Sequence, residues 1–454
     1  MPSFFIAWAL VALSAAPPPA PPQVRLALPA LMEKARKQPT VEAAQAAAQE
    51  AHAKAREASR SWWPQLEVTA VGGPSQRLRC VPDADHCVQT EPSGQTQLGF
   101  AGIFGRLDAK LTMPLYTFGK ISSAKRAAEA GAQASDALVE QSEHDAAFDV
   151  ARAYFAVKLG RELMVMLKEG LGYLQDEVAR EEKLLEKGSG EITEADHRRV
   201  LSLRAEIEAR LSEAKKVEEL GLAGVHFTLG TSEADIDEAP LAPVVFELPT
   251  LEEARRLALG RPEERAAERG ADATARLVDL EWRRWWPDFV LVGAGTLAGS
   301  TSVEHPNNAF LSDPYNSKSG ALGIALRWAP DFGTRGPKID QAEAVAAKAR
   351  AGVQLARQGL AADAERALAE ARDARDRMAS ARTGQRHAKA WLASVAQSEA
   401  AGLAEPKDLS DALVQYFGQH ARLIQATFDW NVGVMAFQRA IGQMPESLRT
   451  VEED

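Results

Sequence analysis

A tandem duplication governs what this chain can fold into. WWPQLEV at residues 62–68 recurs as WWPDFVLV at 285–292, each time after a stretch rich in Ala, Arg and Glu. PLYTFGK at 114–120 is echoed by WAPDFGTRG at 328–336, and a long tract then closes on FTLG at 227–230 or RAIG at 439–442. Phe118 lies 112 residues before Gly230, and Phe332 lies 110 before Gly442. A period above 200 residues means two copies of a large unit, not a solenoid of short ones. The copies occupy residues 24–247 and 248–446, followed by a short tail at 447–454.

Within each copy the apolar period switches. Leu107, Ala109, Leu111 and Met113 alternate with Asp108, Lys110 and Thr112, which is the period of a strand with one apolar and one polar face. Leu322, Ile324, Leu326 and Trp328 alternate likewise with Ala321, Gly323, Ala325 and Arg327. Each copy therefore predicts a β-hairpin, at about 64–116 and about 287–330, joined by long loops at roughly 74–97 and 299–319. Four strands are too few to close a barrel; three chains pooling theirs would give twelve, within the range of outer-membrane barrels.

After each Phe-Gly the period becomes helical. Leu167, Leu171, Leu174, Val178 and Leu185 keep the 4-3-4-3 spacing of a coiled-coil seam, with Glu181 at the intervening core position. A helix over about 121–186 would be roughly 100 Å long at about 1.5 Å per residue. A return helix is expected over 193–228, after the turn GSGEI at 188–192. In the second copy the outgoing helix is expected over 337–400 and the return over 407–441, with the turn at AGLAEP. The helical hairpins thus span about 119–230 and about 337–442. Aromatics make up only 6% of the residues, and abundant alanine suits close-packed long helices.

The N-terminus has an apolar run from Phe4 to Ala15, then a proline tract, and residues 1–16 read as a secretory signal with Ala12 and Ser14 at the cleavage positions. A buried or interfacial helix is the alternative. No Cys follows the run, so a lipid-anchored N-terminus is not expected. No later stretch reaches 18 uninterrupted apolar residues, so a membrane crossing would have to be made by strands. Cys80 and Cys87 enclose the polar loop VPDADH, which a disulfide closes in an oxidising compartment; two free thiols are the alternative. His86 adjoins Cys87, but the spacing of a zinc site is missing. A net charge of −10 argues against nucleic acid.

The order of these segments, given twice, resembles the TolC-like outer membrane efflux family. The resemblance is carried by LMEKARKQPTVEAAQAAAQEAHAKAREASRSWWPQL, PLYTFGKISSAKRAAEA, GEITEADHRRV, GLAEPKDLSDALVQY and HPNNAFLSDPYNS. It implies a mainly helical chain with a β-barrel part: a trimer whose twelve-stranded barrel lies in the outer-membrane lipid above a long periplasmic α-helical barrel. It further implies docking to a periplasmic adaptor (a membrane fusion protein) and, through it, to an inner-membrane transporter. The function so implied is the exit channel of a tripartite efflux or type I secretion system. An aliphatic or aromatic residue is expected before the second Phe-Gly, where this chain has Asp331.

The family pattern places acidic residues at the constricted periplasmic entrance, and Asp408 and Asp411 match it, six and nine residues after Gly402. Gly190 stands six residues before Asp196, so Asp196 should lie at an equivalent height, with Gly188, Gly190 and Gly402 forming the tip turns. A ring of such carboxylates is expected to attract cations and to raise its own pKa values. The plainer reading, which can coexist with it, is that aspartates favour the positive end of a helix. Some relatives carry an arginine two residues after the turn glycine, where this chain has Ala404, so a latch from there to Asp196 has no donor.

Competing motifs are weaker. Gly293-Ala-Gly295-Thr-Leu-Ala298 matches a dinucleotide fingerprint but is followed by GSTSVEHPNN instead of a helix. Trp62, Trp63, Trp285 and Trp286 could be ordinary core, yet their place before a strand in both copies favours an interfacial aromatic belt. The histidines form no H-E-x-x-H or i,i+4 pair, so neither a metal nor a cofactor is expected. No nucleophile elbow, phosphate loop or acid pair points to an enzyme. A periplasmic coiled-coil adaptor is the rival class; it would show one hairpin with small flanking β-domains. Cargo and transporter class are not written in the chain.

Overall fold

The computed structural model describes residues 24–92, 102–187, 192–305, 313–401, 403 and 406–444. The signal at 1–16, the tail at 447–454 and the tip glycines Gly188, Gly190 and Gly402 lie outside the described residues. In chain order the first copy holds β1 (Val24–Leu26), α1 (Leu28–Ala35), α2 (Pro39–Arg60), β2 (Gln65–Ser75), β3 (Leu78–Val81), β4 (Gln89–Pro92), β5 (Gly102–Tyr116), α3 (Lys120–Glu186) and α4 (Glu194–Leu229). After β6 (Ala234–Ile236) come α5 (Leu251–Ala258), α6 (Pro262–Arg283), β7 (Asp288–Ser300), β8 (Lys318–Arg327), α7 (Arg335–Ala400) and α8 (Pro406–Ala440).

Two compact units take parts of both copies. One comprises residues 1–43, 140–261 and 359–454, the other 44–139 and 262–358, so α3 and α7 contribute to each. In the first unit Leu31, Val41, Val150, Val157, Val225, Ile236, Trp430 and Val434 are buried together. The helices of the first hairpin approach closely there. A Cβ on Gly160 would lie 2.6 Å from the Glu218 amide nitrogen, and one on Gly221 would lie 2.8 Å from Val157, so only glycine permits this crossing. Both return helices end as their sequences demand, on Gly230 (φ 65°) and Gly442 (φ 70°) in the left-handed conformation that glycine adopts without penalty.

The segment that closes the first copy after α4 is strapped down. β6 pairs in parallel with β1, an element the alternation did not reveal. Trp430 Nε1 donates to the Val244 carbonyl at 2.8 Å, and Asn431 accepts from Val244 N–H at 2.8 Å and donates to the Ala242 carbonyl at 2.9 Å. Lys158, 4% exposed, reaches the Asp237 carboxylate and the carbonyls of Asp237 and Ala239. A buried ammonium is tolerable only with such a full set of acceptors.

The second unit holds one antiparallel sheet in the order β2-β5-β7-β8. Each expected hairpin forms, and β5 pairs with β7 to join the copies. The strand bounds differ slightly from the expected loops: β2 runs to Ser75 and β5 starts at Gly102, while β7 runs to Ser300 and β8 starts at Lys318. Within the expected first loop, β3 and β4 add a small hairpin of their own. β7 continues through Gly293, Gly295 and Ala298, which excludes the strand-to-helix turn a dinucleotide fingerprint needs.

Candidate functional site

The sheet has two unlike faces. Its registers align Leu66, Leu111, Gly293 and Leu322 in one row, Met113, Leu291 and Ile324 in a second, and Ala70, Leu107 and Leu297 in a third. These side chains share one face because the strand period is two. Leu322 and Ile324 are each 71% exposed and Leu66 67%, a band of apolar groups that a single chain leaves open. The opposite face carries Glu67, Lys110, Arg106, Asp108, Thr296 and Arg327. Arg106 donates to both oxygens of Asp108 at 2.7 and 2.9 Å, and Thr296 donates to Asp108 at 2.7 Å. Strands of 10 to 15 residues reach across a bilayer when tilted. Apolar-out and polar-in alternation over such strands is the pattern of an outer-membrane barrel wall.

Aromatic rings gather where these strands meet the helices. Trp63, Trp286 and Trp328 are exposed, whereas Trp62 and Trp285 are half-buried. Phe118 stacks on Trp286 with ring centres 5.4 Å apart and meets the edge of Tyr116 at 4.7 Å. Trp328 Nε1 donates to the Trp285 carbonyl at 3.1 Å. Exposed indoles at a strand end suit a membrane–water boundary, where one side is apolar and the other wet.

The two Phe-Gly echoes differ in backbone. Phe118 (φ 52°) and Gly119 (φ 85°) are both left-handed, and Arg283 donates to the Phe118 carbonyl at 3.0 Å. In the second copy Asp331 instead accepts from Thr334 N–H at 2.9 Å, an aspartate-capped turn that leads into α7. The Asp before that glycine thus has a structural task. Cys80 and Cys87 form a disulfide across the β3–β4 turn, with Cα atoms 5.1 Å apart, and Cys80 N–H donates to Glu304 at 3.1 Å.

The acidic residues near the helical turns are already engaged within one chain. Asp196 and Thr193 form a capping box: Thr193 Oγ1 accepts from Asp196 N–H at 3.2 Å, and Asp196 accepts from Thr193 N–H at 3.1 Å. Within one chain, Thr193's hydroxyl and amide hold the Asp196 carboxyl below the ordinary range. Asp411, on α8, is ion-paired with Arg199 on α4. Asp408 lies in the first turn of α8. On the outgoing helices Arg180 pairs with Glu399 at 3.1 Å. Neither Arg199 nor Arg180 was singled out from sequence; the partners lie 212 and 219 residues away, and no local spacing marks them. Glu181 is buried at its core position and hydrogen-bonds His197 at 3.2 Å.

A chain that carries a tilted-length sheet with one apolar face, and two long helical hairpins, has the build of a β-strand membrane channel protein with a large helical part. No described helix is long and apolar enough to cross a membrane. The chain belongs to the outer membrane efflux protein family, whose pattern matches it twice, over 31–220 and 254–443. It is thus an efflux channel of the outer membrane with a large periplasmic helical part, and the adaptor alternative is set aside.

Solved structures share the fold. The chain is similar to the outer membrane protein VceC from Vibrio cholerae (18% identity, 91% of this chain and 96% of that one, TM-score 0.72). It is equally similar to the Neisseria gonorrhoeae MtrE outer membrane channel in its open state (18% identity, 94% and 91%, TM-score 0.72). The Campylobacter jejuni CmeC outer membrane channel matches at 14% identity over 92% and 86%, TM-score 0.72. No curated protein matches the chain by sequence.

Proposed function

We propose that three copies of the chain close one duct, which takes cargo from a periplasmic adaptor and an inner-membrane transporter to the exterior, with no catalytic step. The observation that carries this reading is the four-stranded sheet: it exposes an apolar face, and its outer strands β2 and β8 have no strand partner on their outer sides among the described residues. An open edge in lipid leaves backbone groups unsatisfied at several kcal/mol each, so the sheet needs neighbours on both sides. Three copies give twelve strands, enough to leave a lumen.

The remaining assignments follow from this arrangement. Trp62, Trp63, Trp285 and Trp286 act as the periplasmic aromatic girdle. Cys80 and Cys87 staple an external hairpin, in keeping with an oxidising exterior. Asp408, Asp411 and Asp196 line the periplasmic entrance, with Gly188, Gly190 and Gly402 in its turns. Native mass measurement of the detergent-extracted outer-membrane fraction tests the core of the reading. A mass of three chains is the expected result; a soluble monomer with no membrane fraction overturns it.

A further inference from the structure

The two outer strands of the sheet, β2 and β8, carry opposite charges near their aromatic ends, Glu67 on one and Arg327 on the other. β2 begins at Gln65, directly after the Trp62–Trp63 boundary, and β8 ends at Arg327, directly before Trp328. Both edges therefore start from the same aromatic level. On β2 the polar face holds Gln65, Glu67 and Thr69; on β8 it holds Ser319, Ala321, Gly323, Ala325 and Arg327. Among the described residues neither Glu67 nor Arg327 forms an ion pair, although the nearby polar-face residues Arg106 and Asp108 pair with each other. Lys110 stands opposite Glu67 in the ladder without pairing with it.

The drift of the sheet supplies the register. A line straight across from Gln65 passes Thr112 and Val292 and meets β8 at Gly323, four residues inside the end at Arg327. Thr112, Val292 and Gly323 each lie four residues inside the strand ends at Tyr116, Asp288 and Arg327, so the offset arises at the first pairing and averages slightly more than one residue per strand over the three, in the sense that closure of a tilted barrel requires. One further step in the same sense, from Arg327 to the next copy, lands about one to two residues inside the start of β2. Odd displacements would turn the apolar face inward, so parity selects two, which is Glu67.

We propose that β8 of one copy pairs antiparallel with β2 of the next, with Arg327 opposite Glu67 on the lumen face, and that this ion pair fixes the inter-subunit register. It rests on the trimeric reading and adds the residue-level contact. Opposite charges directly across an antiparallel pair favour that register, and a slip by two residues would set Arg327 against Gln65 or Thr69.

The test uses full-length protein with Cys80→Ser and Cys87→Ser, carrying Glu67→Cys with Arg327→Cys. Oxidation in the membrane should give covalent dimers and trimers on boiled non-reducing gels, in clear excess over the offset pair Thr69→Cys with Arg327→Cys. In a disulfide-intact background, Glu67→Arg and Arg327→Glu should each lower the temperature at which the trimer dissociates in detergent, and the double swap should restore it. A native trimer in which the offset pair, or Gln65→Cys with Arg327→Cys, cross-links instead overturns the register and leaves the trimer standing. A wild-type protein that is monomeric by native mass overturns both.

Discussion

Lys158 shows what a single buried charge does in this fold. Its ammonium is nearly inaccessible and is held by Asp237 and two carbonyls of the segment that closes the first copy, while Tyr154 donates to the same Asp237 at 2.9 Å. Removing one partner of a buried pair costs about 3 kcal/mol, because the other is left desolvated. Lys158→Ala should therefore lower unfolding stability by about that amount in denaturant titrations followed by circular dichroism, and a loss below about 1 kcal/mol would show that the strap is held by its other contacts. Glu181 is a second case, with a pH signature. Burial pushes its carboxyl above the ordinary 4.5, Glu177 adds to the rise, and His197 and Arg180 oppose it. The folded state prefers the protonated acid, so its stabilising preference is full below pH 4.5 and is lost as pH rises through the elevated value. Glu181→Gln, which keeps the shape and a hydrogen-bonding head, should match the wild type in acid and unfold at higher denaturant at pH 7. Equal midpoints at both pH values would mean that His197 fully compensates the buried charge.

At the level of elements, the α3–α4 crossing depends on two glycines. Gly221→Leu would drive a side chain into Val157 and the Ala153 carbonyl, and overpacking of that kind costs about 1–3 kcal/mol. Gly172, where an added Cβ would meet no atom within 4 Å, is the control: Gly172→Ala should stabilise slightly, by under about 1 kcal/mol, since alanine is the better helix former. Comparable unfolding midpoints for the two variants would mean that the helices can separate at Gly221 without loss. The long helices were legible because one period persists over more than sixty residues, and Gly230 and Gly442 were legible as stops because glycine after such a run has one usual meaning. The alternating strands were legible for the same reason. β1, β6 and the β3–β4 hairpin were not, since three or four residues give no measurable period. The second Phe-Gly departs from the first in the letter before it, and the backbone follows: Asp331 accepts from Thr334 N–H at 2.9 Å, whereas Thr117 accepts from Ile121 N–H at 3.5 Å after a left-handed Phe118-Gly119. For the candidate site, the sequence singles out Asp196, Asp408 and Asp411 by their place after the turns, whereas the arginine that meets Asp411 is set by tertiary approach and no local spacing marks it.

For the whole molecule, the decisive question is how charge is distributed around the periplasmic entrance. In three copies Asp408 and Asp411 would supply six carboxylates about one axis, and Arg199, paired with Asp411, would supply three guanidinium groups at the same place. An entrance lined by these groups would be a mixed ring with a net negative balance, so cations should concentrate there and multivalent cations should bridge carboxylates of different copies. Asp196 contributes less to such bridging, because Thr193 already holds its carboxylate. Single-channel recording in planar bilayers should show cation preference and block by a trivalent cation added on the periplasmic side. Asp408→Ala with Asp411→Ala should abolish the block while native mass still reports three chains. Arg199→Ala should do the opposite and lower the blocking concentration, since it frees the Asp411 carboxylate from its partner. The two variants thus separate a carboxylate ring from a mere helix-capping role: capping aspartates would leave the block unchanged in both, whereas an entrance lined by these groups moves it in opposite directions. Both variants blocked at the wild-type concentration would place the constriction elsewhere along the duct.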